Sequence, residues 1–286
     1  MKNGQRPKLN ALPAGERIVP TAEKQKQIPA RVVPLAPYLG GKFRLSKRII
    51  DKIEQIPHKI YAEPFVGMGG VFLRRTQIPK AEVINDINGE LVNLYRIVRR
   101  YPDTLYKETE FLFASRQEFE RLLKTPPETL TDIERAARFI YLQNQAFGGK
   151  VTGQSFGVSI DRPARFDFVK LNDRIRAVGG RLASVTIERQ DFETFIKRYD
   201  TKDTLFYIDP PYWGNETDYG KGIFCRADFE RLRDCLMGIK GRFILSLNDT
   251  PQVKELFKNF TIEQTDVTYS ISKTGCCNRS ELIITN

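Results

Sequence analysis

From Pro37 onward the chain alternates short apolar runs with amphipathic segments, and this alternation constrains the fold more than any other feature. Strand-like runs fall at residues 59–65, 81–86, 184–188, 204–209, 242–247, 261–269 and 281–285. Helical periodicity falls between them, at 46–56, 71–76, 89–100, 192–199, 228–237 and 251–257. Strands alternating with helices at this spacing predict an α/β fold: a mostly parallel sheet covered by helices on both faces. The last two strands follow one another without a helix, so an antiparallel closing hairpin is expected.

Residues 94–181 interrupt the pattern with helical stretches at 104–113, 116–123 and 132–145, then a glycine-rich stretch at 147–160. An insertion between sheet strands is a natural place for a recognition module. Residues 1–36 are rich in Pro, Lys and Gln, with Pro7, Pro13, Pro20, Pro29 and Pro34 interrupting any helix. They read as a flexible basic arm, ordered only near its end. The sheet domain is thus expected from 37–93 together with 182–286, with 94–181 as the insertion.

Apolar residues make up 41% of the chain, enough for a sizeable core, and no window reaches the length of a membrane span. The Lys/Arg-dotted N-terminus has no apolar stretch behind it, so a secretory signal is not expected. The four cysteines are Cys225, Cys235 and the adjacent Cys276 and Cys277, and His58 is the one histidine. That spacing suits neither a disulfide framework nor a metal site, and points to thiols in a reducing cytoplasm. Net charge is +11. Residues 1–48 hold 11 Lys/Arg against 2 acids, and 94–181 hold 16 against 11. Clustered cations suit a polyanion such as nucleic acid, and they equally suit a solvated tail and solvated helix faces.

Three constellations carry chemistry. Ala62-Glu63-Pro64-Phe65-Val66-Gly67-Met68-Gly69-Gly70 ends the first strand. Glycines there allow a sharp turn and close ligand approach. The next strand ends in Asn85-Asp86, and an acid about 20 residues after a glycine turn is where nucleotide-binding sheets meet a ribose hydroxyl. Asp86 can equally serve as a strand-end or helix-capping residue. The second constellation, Asp209-Pro210-Pro211-Tyr212, follows an apolar strand directly. It sets an acid beside rigid carbonyls and an aromatic face, an arrangement suited to an extruded base and its amino group. Tyr38-Leu39-Gly40-Gly41-Lys42 is the third, offering close backbone approach and a cation.

With these motifs in this order, the chain resembles the Dam-type, adenine-specific DNA methyltransferases, which use S-adenosylmethionine. The resemblance runs over about residues 35–286. It implies a Rossmann-like, seven-stranded sheet of the class I methyltransferase type with a helical target-recognition insertion. It also implies transfer of a methyl group to the exocyclic amino group of adenine in duplex DNA, by base flipping and direct transfer, without a metal. The residues it marks for the cofactor are Tyr38, Lys42, Phe65, Gly67, Gly69, Asp86, Asp191, Phe192 and Asp209. Lys42 would face the methionyl carboxylate, Asp86 the ribose, and Asp191 with Phe192 the adenine, although Asp191 equally suits a helix N-cap. Asp209 and the Pro210 carbonyl would accept the two amino hydrogens while Tyr212 stacks on the base. Arg138, Asn144, Lys150, Gln154 and Arg165 are the candidates for reading DNA. A monomer is expected, with a restriction endonuclease as a candidate partner. Cytosine-amino methylation, methylation of RNA or of protein glutamine, and a catalytically idle DNA-binding relative are the alternatives. Asp at the first tetrapeptide position favours adenine by that resemblance. The idle relative would need the basic zones but not the Asp209 and Gly67–Asp86 constellations together.

Overall fold

The computed structural model describes residues 31–157, 166–220, 222–272 and 275–286. Most of the expected arm, residues 1–30, lies outside the described residues, as does Arg165. Five strands run parallel: β1 (Ile60–Glu63), β2 (Ala81–Asn85), β3 (Val185–Glu188), β4 (Thr204–Ile208) and β5 (Arg242–Asn248). β6 (Thr261–Ser272) and β7 (Gly275–Thr285) form the antiparallel closing hairpin, longer than its apolar runs suggested. The seven strands make one sheet in the order β3-β2-β1-β4-β5-β7-β6.

Strand periodicity divides the core. Tyr61, Ile84, Leu205, Tyr207 and Ile244 face one side, and Ala62, Val83, Phe206, Ile208 and Leu245 the other. The first side meets α1 (Ser46–Gln55), α2 (Gly89–Arg100), α3 (Pro102–Glu110), α4 (Arg116–Lys124), α5 (Asp132–Gln145) and α6 (Phe168–Arg181). The second meets α7 (Phe192–Tyr199), α8 (Arg226–Met237) and α9 (Pro251–Leu256). Covered on both faces, β4 is buried at every position. Among the described residues, the helices between β2 and β3 share the sheet's core: Phe119, Ile140, Ile175 and Val178 join the cluster that includes Tyr61 and Leu205. The end of the arm belongs to the same cluster, with Val32 and Leu35 buried and the Val32 amide donating to the Leu73 carbonyl at 3.2 Å.

Two elements differ from the sequence reading. The expected helix at 71–76 is a single 3₁₀ turn, Phe72–Arg74. Arg75 leaves it in an extended conformation, and its buried guanidinium meets Glu82 at 2.8 Å. α6 is a full helix beyond the three helical stretches expected in the insertion. Gly179 permits close approach, since a Cβ there would lie 2.9 Å from the Val98 carbonyl of α2.

A buried charge cluster locks this face. Glu82 of β2 receives Arg75 and, from α6, Arg181, whose Nη2 donates at 2.7 Å. All three side chains are buried, and the guanidinium groups lie over the rings of Tyr61 and Phe72. Among the described residues no helix is long and apolar enough to cross a membrane. Neutralising the carboxylate leaves two buried cations without their counter-charge. Glu82→Gln is therefore expected to lower stability by about 3–5 kcal/mol, read by urea denaturation.

Candidate active site

The site forms where the parallel strands end at their carboxyl edge, the usual position for ligands in open α/β sheets. β1 runs into the glycine turn, where Gly67 adopts φ +49°. A Cβ on Gly67 would lie 3.2 Å from the Tyr38 ring. The Gly67 amide donates to Asp86 Oδ2 at 3.0 Å and the Asn88 amide to Oδ1 at 2.9 Å. Burial pushes the Asp86 carboxyl up to about 6, against the lowering effect of these two amides. Asp86 does not cap α2; that cap is Asn88, whose side chain accepts from the Glu90 amide at 3.0 Å. Neighbouring Asn85 ties three strand ends together. Its amide donates to the carbonyls of Pro64 and Gln190, at 2.9 and 3.0 Å, and accepts from the Gln190 amide at 2.8 Å.

The Tyr38–Lys42 segment is held from outside the sheet, by the C-terminal turn of α5. Gln143 Nε2 donates to the carbonyls of Pro37 and Gly149 at 3.0 and 2.6 Å. Asn144 Nδ2 donates to Leu35 and Ile140 carbonyls at 3.3 and 2.9 Å. The Leu39 amide donates to the Gly149 carbonyl at 2.9 Å, and the Tyr219 hydroxyl to the Leu39 carbonyl, also at 2.9 Å.

Asp209 follows β4 directly. Lys42 Nζ stands 2.7 Å from its Oδ1, and the Ser246 hydroxyl of β5 donates to the same oxygen at 3.0 Å. Desolvation raises the Asp209 carboxyl above its ordinary range, and the Lys42 ammonium opposes that rise. Lys42 also lies 4.5 Å from the centre of the Tyr212 ring. The loop leaving the tetrapeptide is pinned by Asn248, which accepts from the Trp213 amide at 2.9 Å and donates to the Trp213 carbonyl at 3.0 Å.

These groups border one cavity of about 450 Å³, within the range of small-molecule sites. Of the residues marked for the cofactor and the reaction, Tyr38, Lys42, Phe65, Gly67, Asp86, Asp191, Phe192 and Asp209 line it; Gly69, Pro210 and Tyr212 do not. Phe65, Phe192 and Phe224 form an aromatic wall, with ring centres 5.5–5.9 Å apart. Asp191 caps α7, accepting from the Glu193 amide at 3.0 Å, while also bordering the cavity. Sequence reasoning assigned no role to Glu63, Tyr219, Arg174 or Ser246. The first three line the cavity, and Ser246 reaches Asp209. Glu63 stood inside a recognised motif, whereas the others come from distant segments and left no local signal. Buried Glu63 accepts from the Tyr61 hydroxyl at 2.8 Å, and desolvation raises its carboxyl well above the usual range.

Among the described residues, those expected to read DNA do not all gather at one surface. Arg138 caps α4, donating to Leu122 and Leu123 carbonyls at 2.7 and 3.3 Å. Asn144 is buried and spends its donors on the backbone, so it is not poised at a base edge. Gln154 is half-buried and donates to the Lys150 carbonyl at 2.8 Å. Lys150 is exposed, three residues from Phe147, which is 59% exposed.

A sheet of this strand order, with a glycine turn after β1 and an acid closing β2, defines the Rossmann-like fold of the class I S-adenosylmethionine-dependent methyltransferases. Within that class the chain belongs to the D12 class N6 adenine-specific DNA methyltransferases, whose family model matches residues 38–271. It is 29% identical over 273 residues to the type II methyltransferase M1.LlaDCHI of Lactococcus lactis subsp. cremoris, covering 88% of this chain and 95% of that one. Identity is 27% over 264 residues to the DNA adenine methylase of Haemophilus influenzae, covering 84% and 88%. The type II methyltransferase M.CviBI of Paramecium bursaria Chlorella virus NC1A is 25% identical over 232 residues, covering 79% and 87%. The protein is thus an adenine-specific DNA methyltransferase, and S-adenosylmethionine is its methyl donor.

A side chain at Gly67 would have to adopt a left-handed backbone and move the Tyr38 ring. Gly67→Ala is expected to lower stability by about 1–2 kcal/mol in urea denaturation.

Proposed function

We propose that this enzyme methylates adenine N6 by direct transfer to a base turned out of the duplex, with Asp209 and the Pro210 carbonyl as the amine acceptors. The observation that carries this reading is that Asp209, the Gly67 turn and Asp86 border one cavity. A carboxylate able to accept from an amine therefore lies in the same chamber as the groups suited to a nucleoside donor.

The amino nitrogen is a weak nucleophile because its lone pair is delocalised into the purine ring. Acceptors on both of its hydrogens draw that pair out of the ring plane. As the nitrogen becomes tetrahedral it gains positive charge, and the preorganised Asp209 carboxylate stabilises it. Tyr212 stacks on the base. When bound, S-adenosylmethionine supplies an electrophilic methyl carbon whose sulfur departs with the bonding electrons. The residues present fit that group: Asp86 for ribose hydroxyls, the Phe65 and Phe192 rings with Asp191 around the adenine, and Lys42 with Tyr38 at the methionyl end. Holding both reactants in one cavity removes much of the entropic barrier.

Residues 94–181 are assigned to target recognition. Exposed Lys150 and Phe147 offer a phosphate contact and an aromatic face, and Gln154 a further polar contact. The basic arm of residues 1–36 adds phosphate contacts. The enzyme acts as a cytoplasmic monomer. The type II names of two relatives support a restriction endonuclease of the same sequence specificity as its partner.

Nucleoside digestion of DNA from cells expressing the protein is expected to yield N6-methyladenine, and N4-methylcytosine in its place would refute the reading. Asp209→Ala is expected to lower kcat by at least about 10²–10³-fold with the fold intact, and retained turnover would defeat the mechanism.

Only the ionised Asp209 accepts strongly, so kcat falls with decreasing pH, beginning above the ordinary carboxylate range because burial raises this acid. Asp86 loses its charge below a pH of about 6. Calorimetric affinity for S-adenosylhomocysteine should weaken there, and Asp86→Asn should remove that pH dependence.

A further inference from the structure

The arrangement of Lys42 supports an inference that rests on the proposed acceptor role of Asp209 and extends it. Lys42 is only 5% exposed, which is rare for a lysine outside an ion pair. Its Nζ stands 2.7 Å from Asp209 Oδ1, 3.2 Å from the Gly40 carbonyl and 4.5 Å from the centre of the Tyr212 ring. A carboxylate acceptor and an aromatic plane are the two partners that the flipped adenine requires. Asp209 Oδ1 also receives the Ser246 hydroxyl at 3.0 Å, so its two lone pairs are already engaged. An arriving amino group that approaches this oxygen must therefore compete with the ammonium.

We propose that Lys42 is an internal occupant of the amine-acceptor site: in the DNA-free protein its ammonium stands in for the target amino group, and the base enters by displacing it. The occupant answers a physical need, because a desolvated carboxylate without a counter-charge is costly. Displacement also suits catalysis. The incoming amine is neutral and cannot replace the charge of the ammonium, so the negative charge of Asp209 is uncovered as the base arrives. Positive charge developing on nitrogen then meets a carboxylate already in place, and that interaction strengthens on the way to the transition state. Lys42 acts here as a positioning residue, through Asp209.

The test uses a duplex that keeps the methylated adenine, located by sequencing modified DNA, and carries 2-aminopurine as the base beside it. Fluorescence of this probe rises when its neighbour leaves the stack. With no cofactor present, Lys42→Met is expected to give a several-fold higher signal than wild type at saturating protein, because the ammonium no longer competes for Asp209. Equal, non-zero signals would overturn the inference while leaving the acceptor reading in place. The absence of signal from both proteins, with S-adenosylhomocysteine also added, would sink both. Thermal unfolding of Lys42→Met confirms that it is folded. A crystal structure of the wild-type protein on the unmodified duplex needs no variant. Lys42 drawn away from Asp209, with the adenine in its place, supports the proposal, and Lys42 still at 2.7 Å beside a bound base overturns it.

Discussion

An acid at the end of a strand buried along its length needs compensation, and Asp209 receives it from far along the chain. The cation comes from Lys42, before the first strand, and a hydroxyl comes from Ser246 on the neighbouring strand. Both partners meet Oδ1, so one carboxylate oxygen joins the N-terminal motif to the centre of the sheet. Desolvation raises this acid and Lys42 restrains the rise, which keeps a buried group usable as an acceptor. The cavity, the glycine turn and the aromatic wall are arranged around that pair.

Position at the site is enforced by amides as much as by charge. Asn85 ties the ends of β1 and β2 to the segment after β3 with three hydrogen bonds. Gln143 and Asn144, in the last turn of α5, do the same for the chain approaching Lys42. A buried amide left without its partners costs about 1–3 kcal/mol, so these contacts are specific rather than incidental. They also link the segment assigned to target recognition with the loop that carries Lys42.

The insertion is joined to the sheet by more than this clamp. Glu82 on β2 holds Arg181 of α6, the helix that closes the insertion. The apolar side chains of α4, α5 and α6 share one core with β1 and β4. Such continuity gives the inserted segment a rigid base. Lys150 and Phe147, on the loop beyond α5, stand at the surface.

Much of this was legible in the linear chain. Short apolar runs and period-3.6 segments placed all seven strands and the closing hairpin, because strands covered on both faces are apolar along their length while the helices over them are apolar on one side. The glycine turn, Asp86 and the Asp209 tetrapeptide could be read because each is contiguous and its chemistry lies within a few residues. The turn at Phe72–Arg74 could not, since Arg75 leaves its helix for Glu82, a partner that only folding supplies. Nor could the roles of Arg138 and Asn144, whose donors are consumed by carbonyls of other segments. The sequence by itself determined which groups the chain carries and the sheet they line. The tertiary structure alone decided which of them face one another, because a hydrogen bond or an ion pair depends on distances that sequence separation does not encode. The separation of 167 residues between Lys42 and Asp209 becomes 2.7 Å only in the folded chain.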